Sequence, residues 1–199
     1  MPRVSPRTAR VAAWIAIPAA LIASGVVVST ASYSAFSATT VNPTSNWTAG
    51  TVALSDDDAN TALFSATNLK PGSTGSNCIT VTSTGSLASA VKLYGTSAAT
   101  TNGLSSYVNI SVQQGTGGGF GSCTGFTPSS TNGTLYTGTL ANFASSYTNY
   151  SNGLGTWTPT GSASESRVYQ VTYTVSSTTP NSAQAGTAAL GLTWEAQNS

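Results

Sequence analysis

The sequence predicts an all-β protein, an antiparallel β-sandwich of about eight or nine short strands after an N-terminal signal helix. Three observations favour this fold. Apolar and polar residues alternate in short segments, turn residues separate the segments, and helical periodicity is almost absent beyond the leader. The 199 residues are 39% hydrophobic and only 6% charged, which suits one domain with its own core. We place this domain at residues 47–199.

Residues 1–34 have the layout of a secretory signal peptide. Three arginines lie within the first ten residues, residues 11–28 form an uninterrupted apolar run, and small residues follow. The 18 residues of the run reach the lower limit for a membrane span, but Pro18 and the many alanines favour a cleaved leader. We expect contact with a membrane only while the leader is uncleaved.

Beyond the leader the chain begins with a mildly apolar segment. Cleavage fits after Ala31 or after Ser34, because small residues precede both bonds at the required positions. Residues 35–46 then become a free N-terminal strand and its linker. Alternate side chains of Ala35–Val41 share one face, so Phe36 is the obvious anchor if this strand docks on a sheet edge.

Eight downstream segments have the composition and alternation of strands with one buried face. In chain order they are TVALS (Val52, Leu54), TALFSAT (Leu63, Phe64), CITVTS (Ile79, Val81), AVKLYG (Val91, Leu93), residues 108–112 (Val108, Ile110, Val112), residues 135–140, residues 167–177 (Tyr169, Val171, Tyr173, Val175) and residues 186–196 (Ala188, Leu190, Leu192, Trp194).

Turn residues separate these strands, and one segment breaks the β pattern. LANFASSY, Leu140–Tyr147, is the one candidate for a helical turn or two. Residues 148–166 look loop-rich, with Trp157 as their large apolar anchor. Turn and loop signals occur at Lys70-Pro71-Gly72, at Thr84-Gly85, at Thr179–Ser182 and at Gly115–Gly121, a flexible loop just before Cys123.

The charge balance excludes two classes of partner. From residue 35 onward three basic residues (Lys70, Lys92, Arg167) stand against five acidic ones, which leaves a net charge of −2. A basic footprint for nucleic acid is therefore absent, and so is a polybasic patch for anionic membrane. A surface with so little charge gets little protection from repulsion between copies, which favours self-association.

The residue inventory argues against catalysis. The chain has no His, so it has no Ser-His-Asp triad and no HExxH zinc motif. Glu165 and Glu195 could be imagined as a glycosidase pair, but Glu195 alternates with Trp194 in a strand and should lie on its exposed face. We predict that the protein is not an enzyme and needs no cofactor.

Cysteines and aspartates suggest structural roles first. Two Cys in an exported chain favour a Cys78–Cys123 disulfide over two free thiols. Asp56, Asp57 and Asp58 leave a weak Ca²⁺ site and a solvated turn at a strand end as alternatives. The spacing of an EF-hand loop is missing and adjacent carboxylates point apart, so we favour the turn. Likewise, the residues Trp47, Trp157 and Trp194 fit core packing better than a sugar-binding face.

Several segments carry a family resemblance, in order along the chain. AFSATT after the leader, WTAGTVALSDDD, LFSATNLKPGS, CITVTSTGSLASAVKLYG and a closing YQVTYTV, turn, NSAQAGTAALGLTWEAQ resemble the TasA/camelysin family of exported bacterial proteins. The resemblance covers nearly the whole chain beyond the leader, except residues 100–160, which have no counterpart in it.

The resemblance implies a jelly-roll sandwich that a SipW-type signal peptidase releases by cutting between Ser34 and Ala35. It also implies a secreted subunit of the bacterial biofilm matrix or cell surface, which assembles head to tail into fibres by donor-strand complementation. The donor strand would comprise Ala35, Phe36, Ser37, Ala38, Thr39, Thr40 and Val41. Camelysin is classed as a metalloendopeptidase, but with no His we do not extend that activity to this chain.

Two other functions stay open from the sequence. The first alternative is a monomeric secreted module that binds a glycan or a protein through loops at residues 115–130 and 148–166. The second, a secreted metalloendopeptidase, is the least supported.

Overall fold

The computed structural model describes residues 48–198. The predictions on the leader, the Ser34–Ala35 cleavage site, the strand Ala35–Val41 and Trp47 lie outside these residues. The described elements, in chain order, are β1 (Leu54–Asp56), β2 (Thr74–Ser83), β3 (Ser89–Thr100), β4 (Val108–Thr116), β5 (Thr127–Pro128), β6 (Thr134–Thr139), α1 (Leu140–Ser146), β7 (Leu154–Trp157), β8 (Glu165–Val175) and β9 (Ala188–Asn198), with 3-10 turns at Leu104–Ser106, Tyr150–Asn152 and Asn181–Ala183.

The strands form two antiparallel sheets, which confirms the predicted all-β sandwich. The larger sheet has six strands in the order β1-β2-β8-β4, and β5 and β6 pair with successive parts of the far edge of β4. The smaller sheet has the order β7-β3-β9. Because β8 lies between β2 and β4, long connections link strands that are neighbours in space.

The core fills the space between the two sheets, where the predicted alternation places apolar side chains. Val108, Ile110 and Val112 of β4 are at most 7% exposed, and Ile79 and Val81 of β2 are each 2% exposed. Between these residues the outward positions of the strands carry polar side chains, so the sequence fixes which face of each strand is buried.

The predicted helical segment is the helix α1, seven residues long. The Thr139 hydroxyl accepts a hydrogen bond from the Asn142 amide at 3.1 Å and caps its first turn. Phe143 is fully buried and its ring packs against Tyr136 and Tyr147, with ring centroids 5.0 and 5.4 Å away. None of the helices in this part of the chain has the length and apolarity needed to cross a membrane.

Two predicted strands are wrong in whole or in part. Residues 61–67 form no strand: the Leu63 carbonyl accepts a hydrogen bond from the Asn77 side chain at 2.7 Å, and Phe64 packs edge-on against Tyr173. The segment fills a gap beside the core without pairing. The predicted strand TVALS is only partly a strand. β1 begins at Leu54, and Val52 lies before it with 36% of its surface exposed.

The region at residues 148–166 has more structure than the sequence suggested. It contains a 3-10 turn capped by the Asn149 side chain and the strand β7, which pairs with β3. Trp157 at the end of β7 is 4% exposed and confirms the predicted anchor. The guanidinium carbon of Arg167 lies 5.9 Å from the centre of the Trp157 ring, so this ring is part of the core and presents no open face.

Candidate functional site

The strand β9 presents a long free edge. It pairs with β3 from Ala188 to Asn198, and within residues 48–198 no other strand pairs with its far side. In a strand, backbone N–H and C=O groups point alternately to the two edges, so about half of those in β9 face away from β3. Such a row of unpaired groups is a template for an added strand.

A groove of about 210 Å³ runs beside this free edge. It opens where β1 of the large sheet and β9 of the small sheet face each other across the sandwich. Its lining is mixed and exposes more polar than apolar surface: two hydroxyl groups and one carboxylate lie beside four apolar side chains. The residues that line it are Leu54, Ser55, Asp56, Val81, Leu192, Thr193 and Trp194.

The apolar wall of the groove is continuous with the core. Trp194 is half-buried and packs against Tyr169, with ring centroids 5.2 Å apart. Tyr169 is only 1% exposed, and burial raises the pKa of its hydroxyl, so it stays neutral. An apolar side chain that enters the groove would therefore extend an existing cluster, and each such burial contributes roughly 1.5–3 kcal/mol.

The outward face of β9 carries one carboxylate. Glu195 accepts hydrogen bonds from the Gln197 side chain at 2.8 Å and from the Tyr94 hydroxyl at 2.7 Å. These two bonds lower the pKa of Glu195, so it stays ionised at neutral pH. Glu165, the other imagined member of a glycosidase pair, accepts from the Thr160 hydroxyl and amide, and the same bonds lower its pKa. Both carboxylates thus have structural partners.

The predicted disulfide is present. Cys78 and Cys123 are bonded, their Cα atoms are 5.2 Å apart, and 45 residues separate them in the chain. Cys78 is fully buried in β2, whereas Cys123 follows the glycine-rich loop. The bond therefore fastens that loop to the large sheet.

The three aspartates contact different partners. Asp57 accepts hydrogen bonds from the amides of Thr80 and Phe120, both at 2.8 Å. Asp58 accepts from the Asn60 amide at 2.7 Å, and Asp56 makes a long bond of 3.4 Å with the Asp58 amide. Within residues 48–198 no group of three His, Cys, Asp or Glu side chains is arranged to hold a metal ion.

The environments of Asp56 and Asp57 shift their pKa values in opposite directions. Burial and the neighbouring carboxylates raise the pKa of Asp56. Burial also acts to raise the pKa of Asp57, but the amide hydrogen bonds from Phe120 and Thr80 outweigh it and lower that pKa. Sequence reasoning missed the role of Asp57, because its partners are 23 and 63 residues away in the chain.

Comparison with known proteins adds no relative. No family model matches the chain, and no curated protein matches it in sequence. The likeness to the TasA/camelysin family thus depends on the segments quoted above and stays a prediction.

Proposed function

We propose that this protein is a secreted structural subunit that polymerises head to tail into extracellular fibres of a bacterial matrix. In this proposal the segment Ala35–Val41 of one copy adds as a strand to the free edge of β9 in the next copy. The observation that carries it is the unpaired edge of β9 beside a groove in which Leu192 and Trp194 form an apolar wall. Main-chain hydrogen bonds along the edge provide affinity, and side-chain pockets provide specificity.

The dimensions of the donor and acceptor agree. The donor has seven residues and β9 has 11, so the added strand can pair along its whole length. Phe36, Ala38 and Thr40 share one face of the donor. When that face points between the sheets, the Phe36 ring enters the groove beside Leu192 and Trp194.

The linker allows the donor to reach a neighbouring copy. Leu54 lies 13 positions after Val41, and this stretch spans at most about 45 Å when extended. Because the donor of each copy binds the acceptor of the next, the contact is heterologous and does not close, so it produces a filament.

Export and processing fit the same function. A SipW-type signal peptidase would cut between Ser34 and Ala35, and the cut would release the N-terminus of the donor. Before the cut, the donor is tied to the leader and cannot leave to join another copy. The cleavage would then convert an export-competent monomer into an assembling subunit at the bacterial surface.

Electron microscopy and light scattering of the secreted chain test this function. We expect an N-terminus at Ala35 by sequencing and fibres by microscopy. Deletion of residues 35–41, or Phe36→Asp, should leave folded monomers, because a carboxylate packs poorly against Leu192 and Trp194 and is repelled by Asp56 in the same lining. Thr39→Asp is the matched control, since Thr39 lies on the opposite face of the donor, and it should still form fibres.

Two results would contradict the proposal. One is that the deletion variant forms the same fibres as the parent chain. The other is that the parent chain is a stable monomer at high concentration, with its own residues 35–41 paired to its own β9. Backbone hydrogen exchange identifies this second state, because pairing within one chain protects the outward-facing amides of β9 while the molecular mass of the particle stays that of a monomer.

A further inference from the structure

The strand β1 covers only one end of the outer edge of β2. β2 has ten residues, and its inner edge pairs with β8 along its whole length. On the outer edge β1 pairs only with Val81, Thr82 and Ser83. The remaining part of this edge, residues 74–80, has seven positions, which is the length of the segment Ala35–Val41.

A compact hairpin lies against the part of β2 that β1 leaves unpaired. We call residues 117–126 the glycine hairpin. Gly119 and Ser122 exchange two backbone hydrogen bonds, of 2.9 and 3.0 Å, which closes its tip. Gly117, Gly118 and Gly121 have φ values near +80°, so side chains would strain the backbone at these positions. The glycines that the sequence suggested were a flexible loop thus build a defined structure.

The hairpin is in contact with the outer edge of β2. Phe120 forms a parallel bridge with Cys78, and the inner edge of Cys78 is already paired with Gln170 of β8. Phe120 must therefore lie on the outer side, in line with β1. The Cys78–Cys123 disulfide fixes the hairpin to the same residue of β2.

Asp57 fills the gap between β1 and the hairpin. One of its carboxylate oxygens accepts from the Thr80 amide of β2, and the other accepts from the Phe120 amide of the hairpin. A Cβ atom at Gly119 would lie 3.0 Å from this carboxylate, so a larger residue there would push the Asp57 side chain aside. Next to it, the Cys78 amide donates to the Asn77 side-chain oxygen at 3.0 Å. The edge amides of Cys78 and Thr80 are therefore both occupied.

We propose that β2 carries a second strand-accepting edge, and that the glycine hairpin covers it. The disulfide and Asp57 hold the cover in place. The segment that would compete with the hairpin is Ala35–Val41 of a second copy, which matches in length the seven positions that β1 leaves unpaired; this identity rests on the proposed function. With the cover closed, β2 receives no donor, so a second donor cannot start a branch of the fibre at this edge.

Backbone hydrogen exchange tests the cover without any assembly. The measurement uses the full secreted chain with Phe36→Asp, which disables its own donor. Asp57→Ala keeps the disulfide and removes both amide bonds of the carboxylate. We expect exchange at Thr80 to become about tenfold faster or more, because a bond to a charged acceptor is lost. Asp58→Ala is the control, since Asp58 contacts neither β2 nor the hairpin through its side chain, and it should leave Thr80 unchanged.

A second variant removes the cover completely. Cys78→Ala and Cys123→Ala are combined with Asp57→Ala, and the Thr80 amide should exchange faster, whereas the amide of residue 78 keeps the Asn77 side-chain oxygen as its acceptor. The amide of Val112 in the centre of the large sheet reports on global stability. If the amides of Thr80 and Val112 accelerate equally, or if the Thr80 amide keeps its protection, the cover has no local role and the inference is overturned.

Peptide binding then tests the second acceptor. A fluorescent heptapeptide with the sequence of residues 35–41 is titrated into both proteins. We expect one peptide per subunit when the hairpin is intact and two when it is released. One peptide in both proteins, with faster edge exchange in the variant, overturns the second acceptor. No binding to either protein contradicts the donor-strand function itself, and the exchange data still decide whether the hairpin covers β2.

Discussion

Asp57 links two separate parts of the chain to the end of β1 through a single carboxylate. The hydrogen bonds from the amides of Thr80 and Phe120 are strongest when the Asp57 carboxyl is ionised. Because they favour the ionised form, they hold the pKa of Asp57 below the usual value of 3.8. An acid whose pKa is lower in the folded state than in the unfolded state stabilises the fold above its unfolded pKa. That stabilisation is lost as the pH falls through the folded pKa.

We therefore predict that acid removes the stability difference between the parent chain and Asp57→Ala. At about pH 6 the parent should have the higher unfolding temperature, and near pH 2 the difference should be small. Thermal unfolding of both proteins across this range checks it. Glu165 and Glu195 also have lowered pKa values, but they are present in both proteins and cancel. A constant difference at all pH values would show that Asp57 acts by packing alone.

The disulfide acts on the element that it fastens and on the unfolded chain. It closes a loop of 45 residues, which in the chain-entropy model stabilises the fold by about 4 kcal/mol. We predict that Cys78→Ala with Cys123→Ala lowers the free energy of unfolding by roughly 3–4 kcal/mol, measured by urea denaturation. A loss below about 1 kcal/mol would mean that Asp57 and the close packing of the hairpin hold it without the bond. Ser122→Ala, beside Cys123, is the control with the disulfide intact.

The sequence could predict the strands whose pattern is set by burial alone. Val108, Ile110 and Val112 alternate with polar residues because one face of β4 covers the core, and period-two alternation records that directly. Leu63 and Phe64 misled the prediction because apolar residues fill gaps between sheets as well as strand faces. β7 was missed because its four residues include Gly155 and are too few to show a period.

The candidate site could be predicted only in part, since it consists of edges. The predicted export and the count of two Cys together predicted the disulfide. Which strand edge stays unpaired depends on the order of all strands, and alternation along one strand carries no information on its neighbours. The bond between Asp57 and Phe120 joins residues 63 positions apart, and no local pattern announces it.

At the scale of the whole molecule, the two sheets differ in how one edge of each is covered. One edge of the small sheet, at β9, is long and unpaired within residues 48–198. The corresponding side of the large sheet carries β1, Asp57 and the disulfide-bonded hairpin in succession along β2. Natural β-proteins cover or blunt their edges against uncontrolled pairing. Among these two edges, the one at β2 is covered and the one at β9 is unpaired, which is the asymmetry that the proposed head-to-tail contact needs.

The low net charge of the chain leads to a prediction about the proposed assembly. From residue 35 onward the net charge is −2, and Glu195 is the charged residue of β9. Contacts made by main-chain hydrogen bonds and apolar burial are not screened by salt, whereas contacts between charged surfaces weaken as the Debye length falls from about 30 Å at 0.01 M to about 3 Å at 1 M. We predict that the rate of fibre formation changes less than about threefold over this range of salt concentration. The reason is that salt mainly slows association that is steered by attraction between charged surfaces. Light scattering during assembly measures the rate, and Thr193→Lys provides a matched variant with a new charge beside Glu195. A steep loss of assembly with salt in the parent chain would show that charged surfaces, and not the edge of β9, join the subunits.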